Sequence, residues 1–144
     1  MRFFFFGSLM DADVRATVLG PRAARLRIAP ARLPGYRRWS VAGGQYPMLL
    51  PDRHGEVQGV VVDGLDWSDA ARLHFFEGSD YAAAVRAVTG SNETRFAAFV
   101  YLSSPKLQSG RRPWNFASWQ QSNKQRFMRR ARLRMARYRP VGSA

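Results

Sequence analysis

The apolar positions of this chain fall into short runs that fit strands and into three- and four-residue steps that fit helices. Met1 to Phe6 is an uninterrupted aromatic run and reads as a buried strand, ended by Gly7 and Ser8. Asp11 or Asp13 then caps a short helix through Val14, Val18 and Leu19, stopped by Gly20 and Pro21. Four strand candidates follow, Leu26 to Leu33, Tyr36 to Ala42, Met48 to Leu50 and Val57 to Val62, fenced by Leu33-Pro34-Gly35 and Ala42-Gly43-Gly44. Strands this closely spaced favour a strongly curved or closed sheet.

The second half begins with a helix capped by Ser68, carrying Ala71, Leu73 and Phe75 and ending near Glu77-Gly78. Tyr81 to Thr89 and Thr94 to Leu102 predict a hairpin around Gly90-Ser91-Asn92. Last comes a long helix at about 115–138, capped by Asn115. Its stripe of Phe116, Trp119, Asn123, Phe127, Ala131, Met135 and Tyr138 is expected to pack on the sheet.

Composition narrows the class. With 144 residues, 46% hydrophobic and 13% aromatic, the chain has the size and apolar content for one folded domain. It has no cysteine, which removes disulfides, thiolate nucleophiles and cysteine-ligated metals. Phe3 to Phe6 is too short for a signal peptide and no run is long enough to span a bilayer, so a soluble, cytoplasmic protein without membrane contact is expected.

The net charge of +13 is unevenly placed. All 10 acidic residues lie between Met1 and Glu93, whereas Thr94 to Ala144 holds 12 Lys and Arg and no acid. The basic stretch around Arg126 to Arg139 suits either phosphate attraction, and so a nucleic-acid partner, or the solvated face of a helix. Without a nucleic-acid motif the solvated face is the favoured reading.

Chemistry-bearing residues are few. His54, in what reads as the turn Pro51 to Gly55, and His74, on a helix, have no zinc-motif spacing, so neither a metal nor a cofactor is expected. Glu77 stands out: it follows Phe75 and Phe76 and precedes Gly78, at the end of an apolar helical turn. It is either an exposed helix-end carboxylate or one drawn into an apolar pocket, where burial raises its pKa toward a range useful for proton transfer. Gly7-Ser8-Leu9 is either a plain strand-to-helix turn or a main-chain cradle for an anion or carbonyl oxygen.

An ordered set of motifs decides between these alternatives. Phe5-Phe6-Gly7-Ser8-Leu9-Met10 resembles the Tyr-Gly-Ser/Thr-Leu-Met signature of the γ-glutamylcyclotransferase-like, or AIG2-like, family. Ala31 to Tyr36, Gln45-Tyr46-Pro47, Val57 to Val62, Phe76 to Tyr81 and Phe99-Val100-Tyr101 follow in that family's order, before a closing Trp-rich helix. The resemblance covers Met1 to Tyr138.

The resemblance implies an α+β fold, a small mixed β-barrel of about five to seven strands with flanking helices and a C-terminal amphipathic helix. It also implies a metal-independent enzyme in which the α-amino nitrogen of a γ-glutamyl substrate attacks its own γ-carbonyl, releasing an amine and 5-oxoproline. Glu77 is then the general acid/base, and Phe6, Gly7, Ser8, Leu9, Tyr46 and Tyr81 contact substrate. A catalytically silent binding domain of the same fold is the alternative. Two departures bear on activity: Phe6 replaces the family's tyrosine, removing a hydroxyl, and Ala82-Ala83-Ala84 replaces more polar residues.

Overall fold

A computed structural model describes residues 1–141. Its elements in order are β1 (Arg2–Phe5), α1 (Ala12–Leu19), β2 (Arg27–Val41), β3 (Pro47–Asp63) and α2 (Trp67–Glu77). These are followed by β4 (Tyr81–Gly90), β5 (Arg95–Ser103), β6 (Ser109–Pro113), α3 (Phe116–Ser122) and α4 (Lys124–Ala136). The strands run in the order β3-β1-β5-β4-β2, and β2 pairs again with β3, closing a five-stranded barrel with β6 appended to β2. Only β1 with β5 is parallel; the other pairings are antiparallel. The mixed barrel with flanking helices expected from the sequence is therefore the observed α+β architecture.

The alternation of β1 divides the core. Successive strand side chains point to opposite faces, so Phe4 joins Leu33, Leu49, Val57, Val61, Val88 and Val100 inside the barrel. Phe3 and Phe5 face outward, against Val14, Val18, Leu73, Trp119, Met128 and Met135 of the helices. Phe4 fits because Gly59 lies beside it: a Cβ there would stand 2.6 Å from the Phe4 ring and 2.3 Å from the Phe5 carbonyl oxygen. Among the described residues no helix is long and apolar enough to cross a membrane.

Several elements differ from the sequence expectation. The four strand candidates merge into β2 and β3. Leu33-Pro34-Gly35 is not a turn but an irregularity within β2: Pro34 pairs with Glu56 and Tyr36 with Pro51, so Gly35 alone, at φ 90°, opposes Asp52 to Gly55. That bulge absorbs the left-handed residue that looked like a chain reversal. His54 consequently lies in β3, exposed, rather than in a turn.

The cap of α2 is Asp66, in a reciprocal box with Asp69, rather than Ser68. The long C-terminal helix is two helices, broken at Asn123, whose φ and ψ of −125° and −17° leave the helical range. Asn115 does cap the first, accepting from the Ser118 amide at 2.9 Å. The apolar face of α4 approaches α1 and α2, and its Met128 and Met135 share one core with Phe3 and Phe5 of the sheet.

Candidate active site

The site starts where β1 ends. The chain leaves the barrel at Phe6 and makes a tight 3-10 turn over Ser8–Met10, closed by Met10 N–H to Gly7 O at 2.9 Å and Asp11 N–H to Ser8 O at 3.0 Å. Gly7 is required by crowding: a Cβ would lie 2.8 Å from Cγ of Pro47. Asp11 then caps α1, accepting from the amides of Asp13 at 2.8 Å and Val14 at 3.2 Å.

Arg15, buried, and Arg38, half-buried, fix this turn by its carbonyls. Arg38 donates from Nη1 to Phe6 O at 2.7 Å and to Gln58 O at 3.0 Å, with its guanidinium 5.3 Å from the Trp114 ring centre. Arg15 donates to Leu9 O at 3.0 Å and Met10 O at 2.7 Å. Burial pushes the pKa of both guanidinium groups down; for Arg15 the neighbouring Asp11 charge offsets part of that. The carbonyls are thus engaged from behind, while the amides of Gly7, Ser8 and Leu9 precede the first donor of the turn's own ladder.

The C-terminus of α2 supplies the carboxylate. The helix stops at Gly78, whose φ of 72° only glycine adopts easily and whose amide donates to His74 O at 3.0 Å. Arg134 of α4 donates to Phe75 O from Nε at 3.0 Å and also from Nη2, and stacks on the Phe75 ring at 4.8 Å. This holds the last turn of α2, and with it Glu77, against α4.

Glu77 and the Gly7 to Leu9 turn line one cavity of about 580 Å³ at the barrel mouth. Phe76, Tyr101 and Phe127 also line it, as do Tyr46, Pro47 and Tyr81. No hydrogen bond to the Glu77 carboxylate is found among the described residues. Burial in this largely aromatic surrounding raises its pKa from 4.5 to about 8. The hydroxyl of Tyr81 donates to Pro47 O at 2.8 Å, and that of Tyr101 lies 2.6 Å from His74 Nδ1. Burial first, and the nearby Glu77 charge second, push both phenols well above the usual tyrosine range, so both stay protonated hydrogen-bonding groups.

All seven residues singled out in the sequence therefore border the same cavity. Phe6 is 6% exposed, packs with the barrel interior and lines the cavity with a phenyl ring that carries no hydroxyl. Tyr46 is the most open of them, its ring edge-on to Phe127 with centres 6.4 Å apart. Not foreseen were Tyr101, Phe127, Arg130 and Arg134, which line the cavity, and Arg38, which props the turn. Tyr101 was named only as part of the Phe99-Val100-Tyr101 strand in the ordered family motifs, with no role assigned; no local signal marks the arginines. No group of three or more His, Asp or Glu side chains among the described residues is arranged to hold a metal ion.

Comparison with known proteins places this geometry. The family model described as gamma-glutamyl cyclotransferase, AIG2-like matches residues 3–121. The AIG2-like protein A of Arabidopsis thaliana is 31% identical over 127 residues, covering 87% of this chain and 75% of its own. A solution structure of an Arabidopsis thaliana protein superposes with a TM-score of 0.64 at 26% identity, over 96% of this chain and 93% of that one. A gamma-glutamyl cyclotransferase structure has the same fold, with a TM-score of 0.62 at 11% identity over 100% of this chain and 90% of the other. The chain belongs to the gamma-glutamyl cyclotransferase, AIG2-like family.

Proposed function

We propose that the protein cyclises a γ-glutamyl amide, closing 5-oxoproline and releasing the amine, with Glu77 as general acid/base. The observation that carries this reading is one shared cavity: a carboxyl with its pKa raised to about 8 lies in the same space as a main-chain turn whose carbonyls are tied away. The cavity, of about 580 Å³, is of the size that takes a small molecule.

The substrate's α-ammonium gives one proton to the Glu77 carboxylate and becomes a nucleophilic amine. Its nitrogen attacks the γ-carbonyl carbon, forming the new C–N bond and placing negative charge on the carbonyl oxygen. The amides of Gly7, Ser8 and Leu9 supply hydrogen bonds to the substrate's oxygens. Glu77 then returns a proton to the leaving nitrogen as the old C–N bond breaks, and takes the second proton from the attacking nitrogen. The balance is one lactam, one neutral amine and a protonated Glu77, which loses its proton to solvent before the next cycle. No covalent enzyme intermediate is required, in keeping with the absence of cysteine. Phe76, Tyr101 and Phe127 help exclude water from the cavity, favouring cyclisation over hydrolysis.

The test is incubation with γ-glutamyl peptides and amines and measurement of 5-oxoproline. The wild type should form it and Glu77→Gln should form at least about 100-fold less, the loss typical of removing a general base. Equal product from both would remove Glu77 from the role. A silent binding domain is favoured by one observation, the phenyl ring of Phe6 at the cavity in the place where the family signature that the sequence resembles has tyrosine. Under that reading the ligand raises the melting temperature of the wild type while no 5-oxoproline forms.

A further inference from the structure

The reaction leaves open what the released amine carries, and α4 bears on it. Phe127, Arg130, Ala131 and Arg134 of this helix form one wall of the cavity. Arg134 is committed to the Phe75 carbonyl. Arg130 is different: its side chain is exposed, lines the cavity, and has no hydrogen bond or ion pair among the described residues.

Helical geometry extends this single cation into a row. At about 100° per residue, Arg126, Arg130 and Arg137 lie within about 40° of one another around the axis and span about 16 Å along it. Arg126 and Arg137 are likewise exposed and without a hydrogen bond or ion pair among the described residues. The opposite face, with Met128 and Met135, is buried. The nearest acids on α1, Asp11 and Asp13, are already paired with Lys124. The acidic side chains of the cavity itself are Glu77 and Asp80. The cavity wall therefore carries one unneutralised guanidinium, Arg130, and Arg126 and Arg137 adjoin it on the helix surface outside the cavity lining, an arrangement that attracts and steers carboxylates.

Resting on the cyclotransferase reading, we infer that the substrate's leaving portion is anionic: Arg130 binds its first carboxylate, and Arg126 and Arg137 favour further acidic groups beyond it. Substrates of this class are acidic γ-glutamyl peptides rather than plain γ-glutamyl amines. Arg130 is then a specificity-determining residue that acts on binding, not on the proton transfers at Glu77.

The experiment compares γ-glutamyl-glutamate, γ-glutamyl-alanine and γ-glutamyl-alaninamide, in wild type, Arg130→Gln and the remote control Arg95→Gln, at low and high salt. In the wild type kcat/KM should rise about tenfold from the amide to the acidic peptide, carried by KM with kcat unchanged, and salt should shrink the gap. Arg130→Gln should lose most of the gap, and Arg95→Gln should keep it. Equal use of all three substrates, or a gap that survives Arg130→Gln, overturns the assignment. Thermal protection separates this from the chemistry: γ-glutamyl-glutamate should raise the melting temperature more than the amide does, and Arg130→Gln should abolish the difference. If no substrate yields 5-oxoproline, the enzymatic reading falls, and the protection experiment alone upholds or overturns the role of Arg130.

Discussion

Replacing Glu77 with glutamine should make the protein more stable at neutral and alkaline pH while disabling the proposed chemistry. The folded-state pKa of Glu77 is about 8 against an ordinary value of 4.5. Between these values the native protein holds a proton that the unfolded chain has released, so stability falls as pH rises through this window, at roughly 1.4 kcal/mol per pH unit. From pH 5.5 to 7.5 the wild type should lose about 3 kcal/mol through this one group. The glutamine amide does not titrate, and because no hydrogen bond to the native carboxylate is found among the described residues, the substitution breaks none of them. The assay is urea unfolding of wild type and Glu77→Gln at both pH values. Other titrating groups cancel in the comparison, so the variant's advantage should grow by about 3 kcal/mol across the interval. Parallel stability profiles would show that the folded protein does not disfavour the Glu77 carboxylate, and the physical basis for its role would be lost.

Three further substitutions probe the frame around that carboxylate. Gly7→Ala places a methyl 2.8 Å from Pro47 Cγ, and should cost about 1–3 kcal/mol in denaturant unfolding and lower kcat/KM by displacing the turn. Tyr81→Phe deletes the 2.8 Å bond to Pro47 O, and should lower stability by about 1 kcal/mol and raise KM. Asp11→Ala removes the α1 cap together with the contacts from Gln120 at 3.0 Å and Lys124 at 2.8 Å; thermal denaturation should register a loss of about 2–3 kcal/mol. Burial alone would raise the Asp11 pKa, but its hydrogen bonds hold it below 3.8. The Asp11 contribution is therefore present above that value and fades as pH falls through the lower folded-state pKa, where wild type and variant should converge.

The sequence made the site more legible than the sheet. Glu77 was visible because two phenylalanines and a glycine around an acid are a local anomaly, and the turn was visible because Gly7-Ser8 interrupts an aromatic run. Pro34-Gly35 misled because a left-handed glycine serves a bulge as well as it serves a turn, and only the register of β2 on β3 distinguishes them. β6 escaped notice because Ser109-Gly110-Arg111-Arg112-Pro113 has no apolar face; its place is set by pairing with Trp39 and Val41. The break at Asn123 escaped because the residue sits in phase with the helical stripe on either side. Arg130 and Arg134 read as part of the solvated basic face and Arg38 carried no local signal, since what separates them from the other arginines is the partner or cavity each one reaches in the fold.

The central claim is that Glu77, in the cavity shared with the Gly7 to Leu9 turn, moves the protons of a cyclisation. The pH dependence of kcat/KM for 5-oxoproline release from a γ-glutamyl peptide tests it most directly, in wild type and in Glu77→Gln. The account predicts that the wild-type rate climbs as pH rises toward about 8, where Glu77 becomes a base, and that the variant retains only a trace rate without this rise. A variant that reproduces the wild-type rate and profile would contradict it.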